Sequence, residues 1–248
     1  MSLERTKISE LTEVVPTDGA IFPLVQGGST VSCKLSDISD FLKDISITSL
    51  SITPSTTTYE NGVNLTSLQL DWVLNKNPNE LFITRTPGTA TELSTNVRTF
   101  TDSFTINSGT SVWTLLATDA STSDSSTKTI NWVYPFITGM STSNLTNGTS
   151  LYDETTLGIL NKLVATKSNK TVALNDTLKY IYFAYPASYG DLSTIKDPNN
   201  FDVTNNFTKY SGNVTSTGLD NNYSSISYNI YSTYPNLVNA SGDYKFNF

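Results

Sequence analysis

The sequence offers few side chains of the types that carry enzyme chemistry. It contains no histidine and a single cysteine, Cys33. The absence of histidine excludes the Ser-His-Asp and Cys-His nucleophile systems and any zinc site that needs imidazole. A single cysteine excludes four-cysteine metal sites and CxxC redox pairs. The GxGxxG, GxxxxGK[ST] and GxSxG motifs do not occur either.

Carboxylates are the remaining candidates for catalysis, because a glycosidase needs only two Asp or Glu residues. Asp71, Asp119, Asp191 and Asp202 lie near the ends of predicted strands, but no spacing pairs them. The run Asp197-Pro198-Asn199-Asn200 is typical of a turn. No D-x-D-x-D-G series predicts a calcium loop. We therefore assign surface and turn roles to these carboxylates and predict no catalytic residue, no cofactor and no metal site.

The densest aromatic stretch is Tyr180-Ile181-Tyr182-Phe183-Ala184-Tyr185-Pro186, followed closely by Tyr189. Its alternation predicts a central strand whose rings point in turn to a core and to an interface. Two other interpretations stay open. Aromatic faces beside Asn amides suit the hydroxyls of a carbohydrate, and tyrosine is also enriched at subunit interfaces. The candidate interface or glycan residues are Tyr180, Tyr182, Tyr185 and Tyr189.

Composition favours a folded β protein with a polar, weakly charged surface. Of 248 residues, 37% are hydrophobic and 15% charged, and aromatic residues at 11% argue against disorder. Thr, Tyr, Phe, Val and Ile suit strands, while the better helix formers are scarce. A net charge of -7 opposes binding to a phosphate backbone, so we expect no nucleic-acid partner.

Targeting signals are not evident in the sequence. No apolar run reaches the ~20 residues of a membrane span, so we expect no membrane insertion. The first residues, MSLERTKISELTE, lack the apolar core of a signal peptide. Together with the unpaired cysteine, this predicts assembly in a reducing cytoplasm.

The chain divides into three predicted sections. In residues 1–45, an apolar run ends at Gly27-Gly28 and a second run follows, which predicts a strand pair. Ser36 is a plausible N-cap for a short helix with Ile38, Phe41 and Leu42 on one face. This section is too small to bury a core alone, so we expect it to pack on another structure.

Residues 46–138 are predicted to form an immunoglobulin-like β-sandwich. Leu68, Leu70, Trp72 and Leu74 alternate with polar residues, which places one face of the strand in a core. Similar patterns place all three tryptophans on inward positions. Six or seven strands within about 90 residues is the density of such a domain.

Residues 139–248 are predicted to form a β-rich domain for display or oligomerisation. The spacing of Leu157, Leu160, Leu163 and Val164 indicates a helix over 155–164. Three predicted strands follow it, over 178–185, 223–231 and 244–248.

Two stretches resemble proteins of bacteriophage virions. The first resembles the N-terminal region of many phage fibre and appendage proteins, through Lys7-Ile8-Ser9-Glu10-Leu11, Ile21-Phe22-Pro23-Leu24-Val25-Gln26-Gly27-Gly28 and Lys34-Leu35-Ser36-Asp37-Ile38-Ser39-Asp40-Phe41-Leu42. The second is similar to the end modules of head-fibre and tail-appendage proteins in phages of Bacteroides-type hosts, including the crAss-like group. It consists of Tyr180 to Pro186, Tyr189-Gly190-Asp191-Leu192-Ser193-Thr194-Ile195-Lys196 and Tyr228-Asn229-Ile230-Tyr231.

The resemblance implies a virion surface protein, commonly a homotrimer, that is anchored to capsid or other virion proteins by residues 1–45. The anchoring residues would be Ile8, Leu11, Phe22, Leu24 and Phe41. No catalytic residues are shared within the family, so none are transferred. The chain departs from the family in lacking an obvious coiled-coil or triple-helical shaft, and in lacking a receptor tip rich in histidine or acidic residues.

Three hypotheses about function follow. The first is a structural head fibre or capsid decoration that also contacts the host surface. The second is a tail-associated, carbohydrate-binding adhesin, in which the aromatic stretch would be exposed. The third is a polysaccharide depolymerase, which the absence of repeats typical of parallel β-helices disfavours.

Overall fold

A computed structural model describes residues 21–26, 29–34, 43–120, 122–145, 160–214 and 226–248. For the first two of these ranges only the backbone is described. Within the described residues the chain is mainly β, as predicted, and it contains no α-helix. The strands are β1 (Ile21–Gln26), β2 (Ser29–Lys34), β3 (Ile47–Thr53), β4 (Thr58–Glu60), β5 (Leu65–Leu74), β6 (Glu80–Thr86), β7 (Ala90–Leu93), β8 (Thr99–Ile106), β9 (Thr110–Thr118), β10 (Ser123–Val133), β11 (Phe136–Ser141), β12 (Asn161–Leu163), β13 (Lys170–Pro186), β14 (Thr194–Lys196), β15 (Thr208–Val214), β16 (Ile226–Ser232) and β17 (Val238–Asn247).

The first two strands form the predicted antiparallel pair. Phe22 lies opposite Cys33, and Leu24 lies opposite Val31. The other anchoring candidates, Ile8, Leu11 and Phe41, lie outside the described residues, as does the helix predicted after Ser36.

Strands β3 to β10 form the first β unit, a sandwich of two sheets. One sheet has the order β3-β5-β8 and the other β4-β10-β9-β6-β7. The predicted alternation on β5 is confirmed, since Leu68, Leu70, Trp72 and Leu74 are buried. Trp113 and Trp132 are buried in the same core, which lies between the sheets. Alternating apolar side chains drive this packing, because each sheet has one face to remove from water.

Strands β11 to β17 form the second β unit. Its main sheet has the order β12-β11-β13-β16-β15, and β17 pairs with both β13 and β14. The pairing of this sheet begins at Phe136, two residues before the predicted domain boundary of 138. The final predicted strand, 244–248, is confirmed as the end of β17.

The long strand β13 belongs to both parts of the second unit. Its first half, Lys170 to Asp176, pairs with β17, and its second half, Tyr180 to Pro186, pairs with β11 and β16. A bulge separates the halves between Asp176 and Lys179. A β-bulge bends the strand, so one strand serves two differently oriented pairings.

The helix predicted over 155–164 is wrong in its second half. Residues 161–163 form β12, which pairs antiparallel with β11. The leucine spacing that indicated a helix does not decide between helix and strand in so short a run, and pairing with a neighbouring strand decides it here. Residues 155–159 lie outside the described residues.

Only two residues, Tyr134 and Pro135, separate the two β units, and this junction is braced from both sides. The Tyr228 hydroxyl donates to the Pro135 carbonyl at 2.8 Å. Lys162 Nζ lies 3.3 Å from Glu60 Oε1, which joins β12 of the second unit to β4 of the first. Tyr134 itself packs against a core of the second unit. Such contacts restrict hinge motion between the units.

Candidate functional site

The aromatic stretch on β13 lies in the interior of the second unit. Tyr182 and Tyr185 are only 1% and 0% exposed. They point to opposite faces of the sheet, and side chains of this chain cover both faces. The interpretation of these two tyrosines as an exposed sugar-binding platform is therefore wrong, because each ring is already packed inside the protein. Tyr180 and Tyr189 are half-buried.

Hydrogen bonds within the protein occupy the two buried hydroxyls. Tyr182 Oη donates to the Ser143 carbonyl at 2.8 Å and accepts from the Leu145 amide at 3.1 Å. Tyr185 Oη donates to the Gly190 carbonyl at 3.0 Å. Burial raises the pKa of both phenols, because the charged form would lose its hydration. Both side chains act as core residues that also hold neighbouring loops.

The four carboxylates considered for catalysis lie in separate places, and each has a local partner. The partners are Gln69 for Asp71, Lys76 for Asp119, Lys209 for Asp191 and Thr204 for Asp202. The hydrogen bond from Lys76 lowers the pKa of Asp119, and the hydrogen bond from Thr204 lowers that of Asp202. These are the surface and turn roles that the sequence predicts.

A first cavity of about 220 Å³ opens between the two sheets of the first unit, beside the edge strands β7 and β8. Its lining is Ile83, Arg85, Gly88, Thr89, Thr91, Phe100, Asp102 and Trp113. The apolar members belong to the sandwich core or its margin. The polar members line the same space, so the cavity joins the core to the surface.

An ion pair spans the two sheets at this first cavity. Arg85 Nη1 lies 3.2 Å from Asp102 Oδ2, and Trp113 Nε1 donates to the same oxygen at 2.9 Å. The guanidinium carbon of Arg85 lies 4.8 Å from the centroid of the Phe104 ring, a cation–π distance. Arg85 Nη1 is buried and makes no hydrogen bond within the described residues. The ion pair links the two sheets, and the N–H groups of Arg85 Nη1 can donate to an acceptor that enters the cavity.

A second cavity, of about 230 Å³, lies on the second unit. Four segments build it: the middle of β13, the stretch between β14 and β15, the turn after β16, and β17. Its lining is Ile181, Asp197, Val203, Asn206, Phe207, Thr233, Val238, Asn239 and Tyr244. Ile181 and Thr233 are buried and form its floor, where the Ile181 amide donates to Thr233 Oγ1 at 3.1 Å.

The walls of the second cavity combine aromatic rings with uncharged and acidic polar groups. Tyr244 and Phe207 are half-buried rings that pack against the core beneath. Asp197, Asn206 and Asn239 supply one carboxylate and two amides. Burial raises the pKa of Tyr244, and the negative charge of Asp197 raises it further.

Reasoning from the sequence missed this second cavity. The turn at Asp197 is confirmed by the bond from the Asn200 amide to the Asp197 carbonyl. However, a turn motif gives no indication that its carboxylate also faces a cavity. The other lining residues lie up to about 60 positions apart in the chain, so no local spacing could have grouped them.

The chain matches no protein-family model, no curated protein and no solved structure. Among the described residues, no helix is both long and apolar enough to cross a membrane. In the same part of the chain, no three His, Cys, Asp or Glu side chains gather as they would around a metal ion.

Proposed function

We propose that this protein is a non-enzymatic structural protein of a bacteriophage virion. It is a head fibre or appendage on the virion surface, assembled in the cytoplasm of the bacterial host. Residues 1–45 attach it to the capsid or to a neighbouring virion protein, and the two β units extend from that anchor toward the host surface. The phage assignment rests on the resemblance of the N-terminal and C-terminal sequences to fibre and appendage proteins.

The observation that carries the proposal is the braced junction between the two β units. A display protein must hold its outer module at a defined distance from its anchor, and flexible linkers do this poorly. Here a two-residue connection is reinforced by the Tyr228–Pro135 hydrogen bond and the Glu60–Lys162 ion pair. The first unit therefore serves as a spacer and the second as the displayed module.

The strand order of the first unit supports the immunoglobulin-like part of the proposal. A three-stranded sheet faces a five-stranded sheet, and the short β4 pairs parallel with the last strand, β10. Sandwiches of this kind, with loops collected at both ends, are common in cell-surface proteins. Such modules suit a spacer because the chain enters at one end of the sandwich and leaves at the other.

The proposed homotrimer now rests on the resemblance alone. Aromatic residues on both faces of β13 had implied that one face needs a partner subunit, but this chain covers both faces itself. Light scattering of the full chain after size-exclusion chromatography tests the trimer. A mass near three chains supports it, and a monomer would remove the trimer while leaving the anchoring role in place.

Virions of the phage that encodes the chain provide the test of function. Particles purified on a density gradient are washed, analysed by mass spectrometry and labelled with a gold-conjugated antibody against the chain. We expect the chain in the washed particles and gold on the capsid surface. Antibody pre-adsorbed with recombinant protein is the control. A chain that is abundant in the lysate but missing from washed particles would overturn the proposal, and gold at the tail would favour the adhesin.

A further inference from the structure

Two of the polar side chains of the second cavity, Asp197 and Asn239, are held in place before any ligand arrives. The Leu178 amide donates to Asn239 Oδ1 at 3.0 Å, which leaves the Asn239 amino group as a donor. The Phe201 amide donates to Asp197 Oδ1 at 2.9 Å, which leaves Oδ2 as an acceptor. Side chains fixed in this way lose little conformational entropy when a ligand binds.

Two unfavourable features of the chain occur at the residues that fix these groups. Leu178 has a φ of 54°, a left-handed conformation that costs a leucine free energy, and its side chain is 65% exposed. Phe201 is 68% exposed. Both residues contribute the backbone N–H that orients a cavity side chain.

The character of the cavity limits what can bind. None of its described lining residues is Lys or Arg, and one is a carboxylate, so phosphate and carboxylate ligands lack a counter-charge. The Asn206 and Asn239 amides both donate and accept, as hydroxyl groups do. Phe207 and Tyr244 offer ring surface to C–H groups. The volume of about 230 Å³ is below the ~300 Å³ at which drug-sized pockets begin, so one ring fits.

We propose that the second cavity binds a single neutral pyranose, a hexose or an N-acetylhexosamine, of a glycan on the host surface. This assignment rests on the proposed attachment function for its biological context. The hydroxyls of the sugar bond with Asp197, Asn206 and Asn239, and its C–H face packs on Phe207 and Tyr244. The site differs from the predicted tyrosine platform, in which Tyr182 and Tyr185 are buried and Tyr180 and Tyr189 are half-buried.

Binding is tested on the full chain with the methyl glycosides of glucose, galactose, mannose and N-acetylglucosamine at millimolar concentrations. Saturation-transfer NMR detects binding, and calorimetry measures affinity. We expect at least one of the four to bind. Asn206→Ala should weaken that binding about tenfold, the effect of one lost hydrogen bond. Asp197→Asn keeps an acceptor for the Phe201 amide but exchanges Oδ2 for a donor, and it should weaken binding as much.

Asn205→Ala is the matched control, because Asn205 lies in the same 3-10 turn as Asn206, is likewise exposed and does not line the cavity. It should leave affinity unchanged, and circular dichroism confirms that all three variants fold. The proposal is overturned if none of the four glycosides binds, if Asn206→Ala and Asn205→Ala behave alike, or if sialic acid or a peptide binds here instead. Detection of the chain in virions is independent of these results, so either idea can fail without the other.

Discussion

At the scale of single residues, the Arg85–Asp102 pair links the two sheets of the first unit. Asp102→Ala removes the acceptor of the Trp113 indole and leaves a partly buried guanidinium without its counter-charge. We expect the free energy of unfolding to fall by about 2–3 kcal/mol, as measured by urea titration with tryptophan fluorescence.

The control for this variant is Asp191→Ala. Asp191 also pairs with a lysine, Lys209, but its side chain is mostly exposed. Exposed pairs contribute less than about 1 kcal/mol, so this substitution should change little in the urea titration of the second unit, followed by near-ultraviolet circular dichroism. Equal losses of unfolding free energy in the two variants would show that the position of Asp102 between the sheets adds nothing to stability.

Two phenylalanines make a second contrast at residue scale. Phe246 is fully buried and stacks on Phe183 with ring centroids 4.0 Å apart, whereas Phe201 is mostly exposed. Phe246→Ala should destabilise the second unit by about 3–5 kcal/mol because it leaves a cavity in the core. Phe201→Ala should leave thermal stability nearly unchanged. A similar loss from both would contradict the described packing of β17.

At the scale of elements, the junction makes the two β units separable by spectroscopy. All three tryptophans lie in the first unit, so tryptophan fluorescence reports on that unit alone. Tyr228→Phe removes the hydrogen bond to the Pro135 carbonyl. We expect the free energy of unfolding of the tyrosine-rich second unit to fall by about 1 kcal/mol. Near-ultraviolet circular dichroism follows the unfolding of this unit. The tryptophan-detected transition should move less, and an equal shift would mean that the units unfold as one.

The elements also show what the sequence could predict. The alternation of apolar and polar residues was sufficient to predict β5, because one face of that strand is buried and the other is exposed to water. The same reasoning indicated an unmatched face on β13, but β14 and the sequence-distant β17 cover it. The second cavity could not be predicted for a related reason. Its residues meet only after β13 has bent at its bulge, and no local pattern encodes that bend.

At the scale of the whole molecule, we expect buried and half-buried tyrosines to set the response to alkaline pH. Burial raises the pKa of Tyr59, Tyr182, Tyr185, Tyr189 and Tyr244 above the ordinary value of 10.0. Above pH 10, tyrosines of the unfolded chain ionise while these stay neutral in the folded chain. The unfolded state then binds fewer protons, so stability present below pH 10 is lost as pH rises.

Urea titrations at a series of pH values from below to above 10 measure this loss. Tyr185→Phe should show a shallower decline with pH than the natural chain. Below pH 10 this substitution should lower the free energy of unfolding only slightly, because the Gly190 carbonyl still accepts from Asn229. Repeating the series at high salt separates tyrosine ionisation from general charge repulsion, which salt screens. An unchanged slope in Tyr185→Phe would contradict the assignment of the decline to buried phenols.

The parallel pairing of β4 with β10 has a mechanical consequence. Tension that reaches β4 through β3 pulls β4 toward its amino end, while β10 is pulled toward its carboxyl end, along the axes of two strands that point the same way. The bonds between them are then loaded together in shear and cannot be peeled apart one at a time. Resistance to stretching is therefore expected where the first unit closes, just before the junction with the second unit.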